Sequence, residues 1–597
     1  MHRSLRRTLS AVVAALLALA LLAAPSWAGP PRHDEDFRVN PYLQNPSSTS
    51  MSVTWFSTTD RPGLLRLRAV DGHPRTRVWR TTPEEQPVLE YTQAELDEEI
   101  AGLEPGSWLL DGGSFKHVLD LTDLEPGTTY EYTVHQGRSR FTERFHTAPA
   151  ADDWDSIRFI AMSDSETEPR GRVQYREWAP GLGGENRPAA QGSAWAETFG
   201  TAQLLGEDVL RYALTEDDGY RRNLDVVDAR DPDFVLNTGD LVQGGGYQPG
   251  WDEWFRHNAG SAGSGLSSTP VLPAFGNWES FGALNGGYGT PEDRSIVVQS
   301  RAKYHAYFDA PGNGHPELTD SFYRIDYGPI TVLTLDANNG VPDDAPANYP
   351  EDEQAEGREY FGPGTDTQNN FTRAEYEAAG GTDLADFHPG SAQWTWAEAN
   401  LADARAAGQI VFVQFHHVPY SSGEHGLPMY HADTSGQGGT PMRIYHDMFE
   451  RYGVTAVISG HSEMFERSLV DADGDGVGVG YYDVGVSGDG LRGERRDGGS
   501  FADPLLSYNE FSQWTADQHE AEQWAVVDGV PQLIDGGKHY GHLEVDVRRT
   551  STGATVTFTP VYVFPVLDSE YEVVRTERRT YDDVVTLELD ASGRIVG

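Results

Sequence analysis

The stretch "PDFVLNTGD", residues 232–240, decides the fold. At its centre Phe234, Val235 and Leu236 are apolar on consecutive positions, which suits a strand buried on both faces. The run then stops at Asn-Thr-Gly-Asp, all turn-forming or ligand-capable residues. Five more stretches share this form: "SIRFIAMSD" (156–164), "TPVLPAFGN" (269–277), "GPITVLTLD" (328–336), "QIVFVQFHH" (409–417) and "TAVISGH" (455–461). Buried strands with reactive side chains at their C-terminal ends imply an α/β core whose chemistry sits on loops along one edge. Helices are expected between them, over "WAETFGTAQLLGEDVLRYAL" (195–214) and "SAQWTWAEANLADARAAG" (391–408). The expected class over residues 155–550 is α/β (α+β): a layered β-sheet core flanked by helices.

On the N-terminal side the grammar is all-β. Over residues 37–150, "MSVTWFST", "LLRLRAV" and the runs around "EPGTTYEYTV" alternate apolar and polar positions, as half-buried strands do. A loop over about 71–115 interrupts them, with room for a short helix in "TQAELDEEIAGL". On the C-terminal side, "GHLEVDVRR", "ATVTFTPVYVF" and "VVTLELD" read as antiparallel strands. Residues 551–597 thus form a β-strand extension, either widening the sheet or standing as a satellite. Segments 169–193 and 341–390, rich in Gly, Pro and acids, read as loop insertions near the strand ends.

Residues 1–28 combine a basic "MHRSLRRTLS", an apolar "AVVAALLALALLAA" and small residues at Ser26 and Ala28. That is the pattern of a cleaved signal peptide, so the expectation is a secreted protein with no membrane span once mature. There are no cysteines, so disulfides and thiolate metal ligands are excluded, and any metal must be held by His, Asn and carboxylates. Against 45 Lys and Arg stand 92 Asp and Glu, a formal net charge of -47. Such a surface repels nucleic acid and anionic membrane, and disfavours a polyanionic substrate unless metal ions create a local positive site.

The strand ends supply the candidate site in order: Asp164 and Glu166; Asp240; Asn277 and Glu279; His416, His417 and His425; His461 and Glu463. The series Asp, Gly-Asp, Gly-Asn-x-Glu, His, Gly-His resembles the metallophosphoesterase superfamily, and within it the purple acid phosphatases. "VNPYLQNPSSTSMSVTW" looks like the opening of that family's N-terminal domain, and the tyrosine of "EPGTTYEYTV" like the corner residue of a fibronectin type III-like sandwich. "FHHVPYSSG", "FER" and "KHYGHLEVDV" point the same way.

The resemblance implies a secreted, metal-dependent phosphoesterase acting on phosphate esters through a metal-activated hydroxide at a dinuclear centre. It places Asp240 as the bridging carboxylate and Asp240, Asn277, His416 and His461 around one ion. The other ion falls to Asp164, Asp240 and Glu463, with Glu166 either a further ligand or a solvated loop acid. His425 matches a substrate-facing histidine suited to protonating the leaving group. His417 stands beside it as a catalytic candidate, with backbone hydrogen bonding as the plainer role. Glu279 reads as a carboxylate orienting a ligand, and Trp278 as pocket wall or core cap.

Four positions depart from the family pattern: Glu166 closes the first block, Gln243 replaces the expected tyrosine, Trp278 replaces a histidine, and Glu463 replaces the last histidine of Gly-His-x-His. The first site thereby becomes oxygen-only, suited to Mn, Mg or Ca rather than Zn or Fe. The rival reading is a non-catalytic or single-metal binding protein on the same fold. Separately, "DADGDGVGVGYYD" matches the first half of a calcium loop, with Asp471, Asp473 and Asp475 in place and Asp483 one step late for a structural Ca. Monoester or diester preference and oligomeric state are left open. No Gly-x-Ser-x-Gly elbow or Walker loop is present.

Overall fold

A computed structural model describes residues 36–596 apart from 71–74, 171–174, 179–182, 339–369, 428–434, 436, 497–502, 506–508 and 517–518. The leader read as a signal peptide, and much of the insertion expected over 341–390, lie outside the described residues.

Eight strands come first: β1 Phe37–Gln44, β2 Met51–Ser57, β3 Gly63–Ala69, β4 Arg77–Thr81, β5 Glu84–Glu85, β6 Phe115–Leu121, β7 Thr129–Gln136 and β8 Ser139–His146. They build two four-stranded sheets, β1-β2-β6-β5 and β4-β3-β7-β8. The alternation of β7 turns Tyr130, Tyr132 and Val134 inward against Trp55, Leu65 and Phe145. The Glu125 N–H donates to the Tyr130 hydroxyl at 2.9 Å, which pins the strand entry as a corner tyrosine does. The short helix in the interrupting loop is Gln93–Leu96, held by a capping box in which Thr92 and Glu95 each accept the other's backbone N–H. Arg38 on β1 reaches the second domain through a buried ion pair with Asp252 at 2.9 Å.

The second domain continues with β9 Ser156–Met162, β10 Glu177–Trp178, β11 Thr201–Leu204, β12 Glu207–Arg211, β13 Phe234–Asn237, β14 Val271–Pro273, β15 Tyr323–Tyr327, β16 Ile330–Thr334, β17 Ile410–His417, β18 Ala456–Gly460, β19 Phe465–Val470, β20 Val479–Val484 and β21 Ser512–Thr515. It closes with β22 Gln523–Val527, β23 Val530–Asp535, β24 Gly541–Arg549, β25 Gly553–Leu567, β26 Val573–Thr580 and β27 Val585–Asp590. Two seven-stranded sheets result: β14-β13-β9-β24-β25-β26 with β27 also on β25, and β15-β16-β17-β18-β20-β19-β21. They pack face to face, with Phe159 against Phe412 and Tyr482 against Phe558 at ring-centroid distances of 5.0 and 4.9 Å. Helices Glu216–Arg230, Gln248–Asn258 and Ser295–Tyr307 cover the outer face of the first sheet, and Ala392–Ala406 and His446–Tyr452 that of the second.

Within these sheets β14, β13 and β9 run parallel, as do β16, β17, β18 and β20. The apolar runs ending in ligand-type residues are therefore buried parallel strands. The helix expected over 195–214 is cut short. Only Ala194–Phe199 is helical, because Gly200 (φ 83) ends it, and Leu205-Gly206, both at positive φ, fold the remainder into the β11–β12 hairpin. The C-terminal strands β24 to β27 are four of the seven strands of the first sheet, since β24 pairs antiparallel with β9. Among the described residues no helix is long and apolar enough to cross a membrane.

Candidate metal centre

Asp164 follows β9, Asp240 follows β13, Asn277 follows β14, His416 and His417 end β17, and His461 follows β18 directly. All six are buried. Five non-glycine residues here have left-handed backbones: Asp164 (φ 55), Glu166 (φ 34), Asp240 (φ 51), His461 (φ 81) and Glu463 (φ 49). Each costs about 1 kcal/mol or more, and such strain persists where the surroundings over-determine it. The surroundings here are a web of loop contacts. Ser165 and Glu166 donate their N–H groups to the Asp240 carbonyl at 3.0 and 3.1 Å, and the His461 N–H donates to the Asp164 carboxylate at 3.0 Å. Two glycines permit the close approach. A Cβ on Gly276 would lie 2.0 Å from Asp240 Oδ1, and one on Gly460 2.1 Å from Asp164 Oδ2.

One arrangement could hold a cation. His416 donates Nδ1–H to the Thr238 carbonyl at 3.1 Å, which leaves a lone pair on Nε2. That nitrogen faces Asn277 Oδ1 at 3.0 Å and Asp240 Oδ2 at 2.9 Å. Burial pulls the His416 pKa down to about 3, so a second proton does not bridge the gap near neutral pH. Three acceptors therefore meet at one point, an arrangement that repels unless a cation lies among them. His461 donates Nε2–H to the Gln437 carbonyl at 2.6 Å, which leaves a lone pair on Nδ1. Asp240, His416 and His461 bring ligand atoms within 4.8 Å of one another. The donor set is two imidazoles, an amide oxygen and a carboxylate, which suits a divalent transition metal.

Glu279 braces this set. Its carboxylate accepts the backbone N–H groups of Asp240, Leu241 and Gly276 at 3.0, 2.9 and 2.7 Å, tying the two loops together, and burial pushes its pKa up to about 7. The Trp278 N–H donates to Asp240 Oδ1 at 2.9 Å, while its half-buried ring meets Phe281 edge-on at 4.9 Å.

Beside it lies a carboxylate cluster. Asp164, Glu166 and Asp240 converge within 4.8 Å, and so do Glu166, Glu463 and Asp489. Burial, with the charge of Glu463 adding to it, raises the Asp164 pKa to about 7 against the hydrogen bonds it accepts. Gln243 donates to Glu166 Oε2 at 3.5 Å. Arg492 pairs with Glu463, and Arg176 pairs with Glu216 and Asp489 and lies 3.8 Å from Glu166. Asp489, Arg176 and Arg492 escaped the sequence reading. The one signal was "SGDG" (487–490) after the apolar run of β20, the same form as the other strand ends.

His425 stacks on His461 with ring centroids 3.9 Å apart, and its Nδ1 meets Ser435 Oγ at 2.7 Å. The His417 ring lies 4.3 Å from that of His461, and neither of its nitrogens has a hydrogen-bond partner among the described residues. In the acidic loop, Asp471 and Asp473 converge with Glu450, while Asp475 accepts the Val477 N–H at 2.7 Å. Asp483 does not join them. It is buried on β20, where burial first and then the charges of Asp164 and Glu466 raise its pKa.

Residues 37–148 match the family model of the purple acid phosphatase N-terminal domain, and residues 208–463 that of the calcineurin-like phosphoesterases. No curated protein matches the chain. Among solved structures, the purple acid phosphatase PPD1 from yellow lupin (Lupinus luteus) seeds is 14% identical, with a TM-score of 0.48 over 91% of this chain and 74% of that one. GAP50, the anchor in the inner membrane complex of Plasmodium, is 11% identical, with a TM-score of 0.30 over 72% of this chain and 90% of that one. The two family matches cover the sandwich and the loops that carry Asp240, Asn277, His416 and His461. The chain thus carries a purple acid phosphatase N-terminal domain followed by a calcineurin-like phosphoesterase domain, the domain of metal-dependent phosphoesterases.

Proposed function

We propose that this phosphoesterase is exported and hydrolyses small-molecule phosphate esters at a dinuclear centre of divalent ions. The observation that carries the reading is the convergence of Asp240 Oδ2 and Asn277 Oδ1 on the lone pair of His416 Nε2. Asp240, Asn277, His416 and His461 hold one ion, and the carboxylates on the Asp164 side hold the other. When bound, such ions supply an activated water and neutralise charge on the phosphoryl oxygens.

The chain's own residues do the remaining work. Asp240 faces the imidazole ligand with Oδ2 and is steadied at Oδ1 by the Trp278 N–H, which orients it as the shared carboxylate. Glu279 keeps the Asp240 and Asn277 loops in register through its three N–H contacts. With His425 Nδ1 engaged by Ser435, its Nε2 is the nitrogen we assign to the leaving-group oxygen, a proton donor there once the substrate's charge is present. Trp278, half-buried beside the ligand loop, is assigned to the substrate pocket wall. Export rests on the basic-then-apolar leader.

The test is hydrolysis of p-nitrophenyl phosphate and bis-p-nitrophenyl phosphate by chelator-stripped protein, with Mn, Mg, Ca and Zn returned one at a time. Turnover restored by a metal and abolished in Asp240→Asn supports the reading. Absence of turnover under every metal sinks it.

A further inference from the structure

The loop after β20 adds to this cleft a carboxylate that the strand-end pattern did not supply. We propose that Asp489, with Glu166 and Glu463, forms a carboxylate-only site that takes a hard divalent cation beside the ion at His416. The inference rests on the phosphoesterase reading of the cleft, and it names the carboxylates that hold the ion on the Asp164 side.

Four observations converge. First, Glu166, Glu463 and Asp489 are 2%, 4% and 1% exposed, and one oxygen of each lies within 4.8 Å of the others. Second, Glu166 Oε1 and Asp489 Oδ2 are buried without a hydrogen-bond partner among the described residues. A buried carboxylate oxygen left in that state is costly, and a cation is what satisfies it. Third, the loop is built in place. The Ser487 N–H donates to the Ser163 carbonyl at 3.2 Å, and those of Gly488 and Asp489 donate to the Asp164 carbonyl at 3.1 and 2.8 Å. A Cβ on Gly485 would lie 3.1 Å from Glu463 Cα, so this loop is packed directly onto the Glu463 turn.

The fourth observation is charge. Glu166, Glu216, Glu463 and Asp489 share two guanidinium groups, Arg176 and Arg492. Carboxylates therefore outnumber guanidinium groups here, an imbalance that a bound cation offsets. Arg176 pairs with Asp489 Oδ1 and Arg492 with Glu463 Oε2. Gln243 contacts Glu166 through Oε2 and so leaves Oε1 to the ion. An all-oxygen shell of this charge favours Mn, Mg or Ca over Zn. The competing arrangement is a cluster neutralised by its two arginines, with a single ion at His416.

The experiment counts ions, without substrate. Metal-stripped full-length protein is titrated with Mn at physiological salt, which screens the acidic surface, and free Mn is read by electron paramagnetic resonance. Native protein should bind two equivalents in the cleft, of which Asp489→Asn loses one, weakened on the order of 100-fold, and His416→Ala the other. Thermal unfolding in chelator checks that Asp489→Asn folds. If it does not, Glu166→Gln replaces it and should lose the same equivalent. Unchanged binding in the carboxylate variant, with an equivalent still lost in His416→Ala, overturns this inference alone. Absence of Mn binding by the native protein overturns it together with the dinuclear reading.

Discussion

Gly276→Ala tests the close packing behind the metal centre with a single methyl group. The backbone of Gly276 is not in the left-handed region, so alanine brings no conformational penalty of its own. Its Cβ would lie 2.0 Å from Asp240 Oδ1 and 2.2 Å from the Asp240 nitrogen, whereas ordinary contact begins near 3.4 Å. Either Asp240 or the Asn277 loop must retreat by more than about 1 Å, and both carry ligand atoms. A misplacement of that size costs on the order of 100-fold in rate, near 2.7 kcal/mol of transition-state stabilisation. Overpacking of a tight site adds about 1–3 kcal/mol of lost stability. The assay is kcat/KM on p-nitrophenyl phosphate with Mn present, paired with a thermal melt. Gly312→Ala, where a Cβ meets nothing within 4 Å, is the neutral control. Wild-type kcat/KM in Gly276→Ala would show that the Asp240 and Asn277 loops do not depend on this contact.

Glu279→Ala removes the acceptor of three buried N–H groups. It should cost roughly 3–5 kcal/mol in denaturant unfolding and weaken Mn binding by about 10–100-fold. Asp252→Asn breaks the buried pair with Arg38 between the domains, at an expected cost of about 3–5 kcal/mol and with the Mn count unchanged. Glu544 gives a pH signature away from the metal centre. Burial pushes its pKa up, but His542 and the guanidinium of Arg578 outweigh burial and bring it down to about 2. A carboxylate with a depressed pKa stabilises the fold above its unfolded value, near 4.5, and loses that contribution as pH falls towards 2. Glu544→Gln should therefore cost roughly 2–3 kcal/mol at pH 6 and progressively less on the way to pH 3, read by denaturant midpoints.

What was legible in the sequence was local. Apolar runs such as Phe234-Val235-Leu236, halted by Gly-Asp, mark a buried strand and its reactive end within nine residues, and the order of such ends carried the family resemblance. The helix misread over 195–214 turned on two glycines, Gly200 and Gly206, whose positive φ values outvoted the apolar spacing. Asp489 was hidden because its place depends on β20 running parallel beside β18, a pairing no local pattern reveals. Arg176 is remote in sequence from the acid it pairs with. Asp483 was read with the acidic loop because it is near in sequence. Four residues of strand from Val479, at about 3.3 Å each, carry it more than about 10 Å away, towards Asp164.

Convergence of Asp240, Asn277 and His416 on an ion can be read by anomalous diffraction from crystals of the intact protein grown with Mn. An anomalous peak is expected about 2.0–2.3 Å from Asp240 Oδ2, Asn277 Oδ1 and His416 Nε2 together. A map with no peak within about 3 Å of His416 Nε2, in crystals whose Mn is visible elsewhere, would contradict it.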